Sequence, residues 1–443
     1  MLKQEVVKHF SISESFCNNL YAFSKQFSHI AWLDSRRDVG LHVGDSSENK
    51  IEELDLLVAF GKKSELLVTQ SNPNDRSTFQ QLKCYLEQSK WAFGHLSYDL
   101  KNNLQEGLVS NNSDGLDFPD LHFFEPKVLV KISKGMAEVS SSNENLLSQI
   151  TQLNELNSTP NLNDIVSEKP TLQTTLSKEE YLNKIKAIKT RIQKGDVYEV
   201  NFCHEFFSKG AEVDPYDLYQ SLVNYSPTPF SSFVKMNDKF IICASPERFL
   251  KKTGNRLLSQ PIKGTIKRGA TVLEDEELKK QLKSSSKERS ENVMIVDLVR
   301  NDLSQIAVDG TVAVDELCGI YTFPQVHQMI STVSCKLKKN IHFVDAIADC
   351  FPMGSMTGAP KFKAMQIIEE MEETKRGAYS GSVGYFTPEG DFDFNVVIRS
   401  LLYNAETKYL SFSAGGAITV GSDAESEYEE VLLKAKAVFE ILG

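Results

Sequence analysis

The chain has 443 residues, 41% of them apolar and 25% charged, so a packed core is expected rather than disorder. Its 49 Lys and Arg against 60 Asp and Glu leave a formal charge of −11. That balance excludes nucleic acid as an expected partner, because such binding is driven by clustered cations that release counterions. It also weighs against a small anionic substrate unless the pocket is locally positive.

The length predicts two or three domains, or one large α/β unit with insertions. Cys17, Cys84, Cys203, Cys243, Cys318, Cys335 and Cys350 are scattered without C-x-x-C spacing. They predict a reducing compartment, with neither a zinc ribbon nor a redox dithiol. The opening MLKQEVVKHFSISESF lacks the apolar stretch of a signal peptide. No run approaches the roughly 18 apolar residues of a membrane span. A soluble, cytoplasmic protein without a membrane partner is the expectation.

In chain order, alternation predicts strands at Ile51–Phe60, Ser64–Thr69, Ala92–Ser97 and Val128–Ile132, with a helix at Ser77–Gln88. A Ser-, Asn- and Thr-rich tract follows from about Val139 to Thr175. It reads as a connection (141–175) that carries a short helix around Leu146–Leu156. The connection separates an N-terminal part (1–140) from a C-terminal part (176–443). The latter opens on an S-x-x-E capping box, Ser177 and Glu180, ahead of a face of Tyr181, Ile185, Ile188 and Ile192 that Gly195-Asp196 terminates. Strands are predicted at Phe240–Ala244, Ser382–Phe386, Phe394–Leu402 and Tyr409–Ala414. Helices are predicted at Lys287–Leu303, Phe343–Cys350, Lys361–Glu373 and Ala424–Leu442. Strands and helices do not alternate regularly, which favours a mixed sheet flanked by helices over a Rossmann or barrel fold.

On the last helix Glu427, Glu430 and Lys434 stand at i, i+3 and i+7 and share a face. Alone, this is an ordinary solvated charged face. Glu288 and Glu291 are one turn apart on SKERSENVMIVDLVRND, just before an apolar run. If the two helices face each other, their carboxylates suit a hard divalent cation such as Mg²⁺, and no histidines show metal-ligand spacing. Lys263, between Pro261 and Gly264, is either a solvated loop lysine or an amine nucleophile. Burial and a neighbouring cation (a metal, Lys267 or Arg268) would hold such an amine neutral. Glu247 in CASPERFL is a general acid if desolvation raises its pKa, or else a salt-bridge partner of Arg248. His327, among apolar neighbours, is most simply a hydrogen-bonded core residue.

The turns FPMGSMTGAPK, RGAYSGSVGYF and SAGGAIT match no nucleotide-phosphate fingerprint. Ser355 and Thr357, with the N–H groups of the helix opening at Lys361, could cradle a carboxylate. Gly415-Gly416 lets backbone approach a ligand closely, and Arg399 on FNVVIRSLL could take a carboxylate bidentately.

Taken in order, GDVYEVNF, CASPERF, PIKGT-x-x-RG, SENVMIVDLVRND, VHQMIST, GSMTGAPK, RGAYSGSVGYF, the Arg399 strand and GGAIT…SEYEE-x-x-x-KA resemble the chorismate-utilising enzyme family. They span about Ser177 to Gly443, and WLDS (Trp32–Ser35) and FGHLSYDL (Phe93–Leu100) are weaker matches. The resemblance implies an α+β fold of two large, mostly antiparallel sheets packed face to face with helices outside, the N-terminal part contributing strands. It implies that Glu291 and Glu430 bind Mg²⁺, with Glu427 and Glu288 close by. It further implies that Tyr385, Arg399, Gly415, Gly416 and Lys434 hold substrate carboxylates, and that His327 and Ser355 line the ring site, His327 with a catalytic part.

Within the family, PIKGT with Lys263 is similar to the branch that aminates chorismate at C4; anthranilate-forming members usually carry alanine there. The implied reaction gives 4-amino-4-deoxychorismate for p-aminobenzoate and folate synthesis. Lys263 adds at C2 while Glu247 protonates the departing hydroxyl, and ammonia then attacks C4. No G-x-C-x-G segment is present, so a glutamine amidotransferase subunit is the expected ammonia source. WLDS stands where some relatives have the motif of a tryptophan pocket, which makes tryptophan a further candidate ligand of the N-terminal part. The alternatives are anthranilate or isochorismate synthesis and an inactive, chorismate-binding regulatory relative. Lys263 weighs against the first, the lack of a recognisable lysine base against the second, and the full set of acid, nucleophile and metal carboxylates against the third.

Overall fold

Two long neighbouring strands, Leu56–Val68 and Leu121–Ser133, set the architecture. A register slip between Lys62 and Ser64, next to Gly61 at φ +69° and opposite Pro126, bends the pair. On one side of the bend residues 121–124 pair with Ala92–Leu96; on the other, 128–133 pair with Met136–Ser141. The computed structural model describes residues 5–35, 54–70, 75–88, 90–157 and 170–442. Among these, twenty strands are hydrogen-bonded into one continuous sheet, which the bend folds into two layers.

One layer runs through His29–Asp34, Phe230–Met236, Lys239–Ser245, Ser400–Asn404, Tyr409–Ile418 and Glu199–Lys209. The other runs through Ala92–Leu96, Ser382–Phe386, Phe392–Asn395, Arg248–Thr253, Arg256–Gln260 and Val326–Lys336. All these pairs are antiparallel, which corrects the expected mixed sheet. N-terminal strands are hydrogen-bonded to C-terminal ones in both layers: His29–Asp34 to Phe230–Met236, and Ala92–Leu96 to Ser382–Phe386.

Side chains alternate between two cores, as the period of a strand requires. Ala31 joins Phe93, Phe123 and Phe394 in the core shared by the facing layers. Ile30 and Trp32 turn to a second core with Phe16, Tyr181, Ile185 and Leu222 from helices covering the first layer. Burying each such aromatic contributes roughly 1.5–3 kcal/mol. The helices Ser77–Leu86, Ser286–Ile306 and Phe343–Cys350 pack against the shared core through Phe79, Ile295 and Val344. The fold is therefore α+β, two facing antiparallel layers with helices outside.

Locally, the Ser177–Glu180 capping box starts the helix Lys178–Gln193. Two expectations change. The predicted pair of strands before Thr69 is one thirteen-residue strand with a bulge, its first predicted residues, 51–53, lying outside the described ones. The predicted strand Phe394–Leu402 is broken into Phe392–Asn395 and Ser400–Asn404, because the chain crosses there from one layer to the other. Of the polar tract, Met136–Ser141 is a strand, Glu144–Gln152 a helix, and 158–169 lie outside the described residues. Among the described residues no helix is long and apolar enough to cross a membrane.

Candidate active site

Two crossings between the layers meet. One is Pro246-Glu247, between Lys239–Ser245 and Arg248–Thr253; the other is the segment 396–399. The N–H of Val396 donates to the carbonyl of Glu247 at 3.0 Å, and that of Ala244 to Arg399 at 3.2 Å. Arg399 has φ +51°, a conformation that costs a non-glycine residue of order 1–3 kcal/mol and concentrates at functional positions. Its guanidinium makes no hydrogen bond or salt bridge among the described residues. Burial lowers its pKa, with Glu247 opposing.

Glu247 is 4% exposed. Burial pushes its carboxyl up to about 7, against the opposing pull of the Ser355 hydroxyl, Lys263 and Arg399. Arg248 does not pair with it: its guanidinium is held bidentately by Asp393 at 2.9 and 3.0 Å. Ser355 lies in the tight turn Gly354–Met356, whose Ser355 carbonyl accepts from Asn201 Nδ2 at 3.0 Å.

Lys263 belongs to the strand Ile262–Lys267. Ile262 faces Ile330 but Thr265 faces Gln328, so one extra residue is inserted, with Gly264 at φ +96°. Such a bulge re-aims a side chain. The Lys263 ammonium lies 2.8 Å from Glu199 Oε1, the lysine side chain largely and the glutamate fully buried. The depressed lysine pKa expected from burial is not what the charges produce. Burial does push it down, but Glu199, then Glu291 and Glu247, outweigh it and hold the ammonium above its ordinary value. Arg268, an expected neighbouring cation, is occupied bidentately by Asp275 at 2.8 and 2.9 Å.

Next to Lys263 the glutamates gather. Glu288 and Glu291 come from the helix Ser286–Ile306, Glu427 and Glu430 from Ala424–Leu442. A Cβ on Gly416 would stand 3.1 Å from Glu427 Oε2 and 3.9 Å from both Glu430 Oε1 and Lys434 Nζ. A Cβ on Gly264 would stand 3.0 Å from Glu288 Oε2. Lys434 Nζ bonds Glu430 Oε1 at 2.7 Å and the Gly415 carbonyl at 2.6 Å. Gly415 is required by close approach, since a Cβ there would lie 2.2 Å from the Phe202 carbonyl.

Burial raises Glu291 to about 7, and it also raises Glu288 and Glu427. For Glu430, Lys434, Lys287 and Lys263 outweigh burial and lower the pKa. The ammonium of Lys287 sits among all four, 4.0 Å from Glu291 Oε1, and they raise its pKa against burial. Carboxylates crowded together and mostly destabilised as anions by burial, with oxygen as their only donor atom, fit a hard divalent cation of the Mg²⁺ type.

Two predicted site residues are not brought here. The Tyr385 ring packs 5.8 Å from Phe93 and 5.7 Å from Trp91. It borders a separate cavity of about 720 Å³, lined also by Leu33, Asp34, Ser35 and Phe230. The tyrosine of RGAYSGSVGYF nearer the glycines is Tyr379, whose hydroxyl lies 3.5 Å from Cys203 Sγ; Cys203 faces Gly415 across the strand pair. His327 is fully buried under the helix Val272–Ser284, with Nε2 3.0 Å from Asp275 Oδ1 and Nδ1 3.0 Å from Thr322 Oγ1. Both nitrogens are thus used structurally. Gln328, the next residue, turns to the opposite face of the strand, and its buried Oε1 has no hydrogen-bond partner. Period-2 alternation from Met329, Ser331 and Val333 carried that signal in the sequence.

The histidines, read as lacking ligand spacing, are brought together elsewhere. His29 and His122 each place Nε2 3.0 Å from Glu65 Oε2, and Lys62 takes the other oxygen. The group is accounted for by its own hydrogen bonds.

A family model described as chorismate binding enzyme matches residues 32–440, which include Trp32 of WLDS and Lys434 of the last helix. The chain belongs to the chorismate binding enzyme family. The chain is 33% identical over 359 residues to "Aminodeoxychorismate synthase component 1" of Bacillus subtilis, covering 78% of this chain and 76% of that one. It is 42% identical over 264 residues to "Aminodeoxychorismate synthase, chloroplastic" of Arabidopsis thaliana, covering 59% of this chain. The match spans little more than a quarter, 28%, of the Arabidopsis protein. Its fold is similar to that of anthranilate synthase component I from Streptococcus pneumoniae, with a TM-score of 0.77 at 24% identity over 91% of this chain and 95% of that one.

Proposed function

We propose that the chain aminates chorismate at C4, giving 4-amino-4-deoxychorismate, as the first component of an aminodeoxychorismate synthase. The observation that carries this is Lys263: a bulge aims a buried amine at a space where Glu199, Glu247 and Glu291 all act on it. Covalent catalysis at the ring needs an amine in that setting with a proton donor beside it. Glu247, raised to about 7 by burial, is still protonated in about half the molecules at neutral pH and can donate that proton to the departing 4-hydroxyl. Arg399 and Lys434 supply the positive charge that anchors substrate carboxylates inside an acidic protein. Glu288, Glu291, Glu427 and Glu430 would hold Mg²⁺, which when bound supplies charge neutralisation at a substrate carboxylate.

Ammonia is to come from a separate glutamine amidotransferase; the "component 1" in the Bacillus subtilis relative's name supports a second subunit. Tryptophan is placed by this reading in the cavity at WLDS, where Phe230, Trp91 and Tyr385 offer aromatic walls. The reaction is tested with Lys263→Ala, chorismate, ammonium and Mg²⁺. The variant should form no aminated product above background, and a variant retaining wild-type turnover refutes the assignment of the nucleophile.

A further inference from the structure

The proposed reaction needs Lys263 as a free amine, yet in the structure its Nζ is one half of an ion pair. A proton acceptor must therefore be in reach. Among the described residues the one side chain bonded to Lys263 Nζ is Glu199, at 2.8 Å. Glu199 is fully buried, and its second oxygen has no hydrogen-bond partner.

Its position is fixed by backbone on both sides. Glu199 pairs with Ala359, and the next residue, Val200, with both Gly358 and Ile418. Gly358 approaches so closely that a Cβ there would stand 2.1 Å from the Glu199 carbonyl. The neighbouring ionisable groups have other tasks: Glu247 must carry a proton to donate it, Glu288, Glu291 and Glu430 face the cation position, and Arg399 cannot accept a proton.

We infer that Glu199 is a catalytic residue, the base that takes the proton of Lys263 and later returns it; this rests on the reaction proposed above. The proton moves from Nζ to Glu199 Oε1. The freed lone pair bonds to ring C2 as the double bonds shift and the C4–O bond breaks, and the hydroxyl leaves as water with the proton of Glu247. Ammonia then bonds to C4, the double bonds shift back, and the C2–Nζ bond breaks. The new nitrogen keeps the positive charge, and Lys263 departs as a neutral amine that recovers its proton from Glu199. Glu247 is reprotonated by the ammonium ion that yields ammonia.

A counter-ion role predicts the opposite behaviour, because losing the carboxylate would release a freer amine. The test is kcat against pH from 6 to 9.5 for wild type, Glu199→Gln and Glu199→Asp, with chorismate, ammonium and Mg²⁺. Glu199→Gln keeps the shape and an acceptor for Lys263 but cannot take the proton. Its kcat should fall about a hundredfold at pH 7 and then climb with pH, while KM for chorismate stays within about threefold. A Gln variant as fast as wild type, faster, or with an unchanged pH profile overturns the inference. If the Gln variant fails to fold, Glu199→Asp decides: the acidic limb should move with the new carboxylate, and an unmoved limb overturns the inference. Wild type forming no C4-aminated product would instead refute the reaction itself, so the two failures are distinguishable.

Discussion

Replacing Glu247 by Gln isolates the energetic consequence of burying a catalytic acid. The Glu247 carboxyl is 4% exposed and raised from an ordinary 4.5 to about 7, burial being the main cause. Below about pH 4.5 it is protonated in both folded and unfolded chains and affects stability little. Between about 4.5 and 7 the unfolded chain ionises while the folded one does not, so this contribution declines as pH rises and is fully lost above about 7. At about 1.4 kcal/mol per pH unit, the interval is worth roughly 3 kcal/mol. With an unfolding entropy near 2.1 cal/mol/K per residue, that is a melting shift of about 3–4 °C for a chain of this length. Calorimetric melts of wild type and Glu247→Gln at pH 5 and pH 8.5, in chelator, test it. The amide variant should gain about 3 °C relative to wild type between the two pH values, since at pH 5 a small part of the penalty is already present. Its turnover should fall at least a hundredfold at every pH, because an amide cannot donate the proton. A Tm difference that is the same at both pH values would refute the reasoning.

Gly416→Ala places a methyl 3.1 Å from Glu427 Oε2, so calorimetric Mg²⁺ affinity should drop about tenfold or more while the melting curve changes little. Arg399→Lys should raise KM for chorismate at least tenfold, since an ammonium cannot reproduce bidentate carboxylate binding, and steady-state kinetics reads it directly. Arg376 is buried and bidentate to Glu372 at 2.9 and 2.6 Å, behind the strand of Glu199; Arg376→Met should destabilise by about 3–5 kcal/mol, seen in thermal melts, by stranding the Glu372 charge.

The glutamate pairs were legible because their i, i+3 spacing on two helices needs no tertiary information. Gly415 and Gly416, Lys434 and Ser355 were legible through motifs. What escaped the sequence depends on long-range pairing. The contact of Glu199 with Lys263 joins residues 64 apart in the chain through a bulge that no local pattern announces. The apolar run around Arg399 reads as one strand, while the chain breaks there to change layers. His327 stands out in the sequence for its chemistry and Gln328 does not, although a one-residue step along a strand decides which face a side chain takes. Tyr385 and Tyr379 share one glycine-rich motif, and only the fold separates the cavity of one from the strand pair of the other.

The most direct measurement is identification of the product formed from chorismate with ammonium and Mg²⁺ by chromatography and mass spectrometry. The account predicts 4-amino-4-deoxychorismate, made by wild type and absent with Lys263→Ala. Anthranilate with pyruvate, or isochorismate, would contradict it.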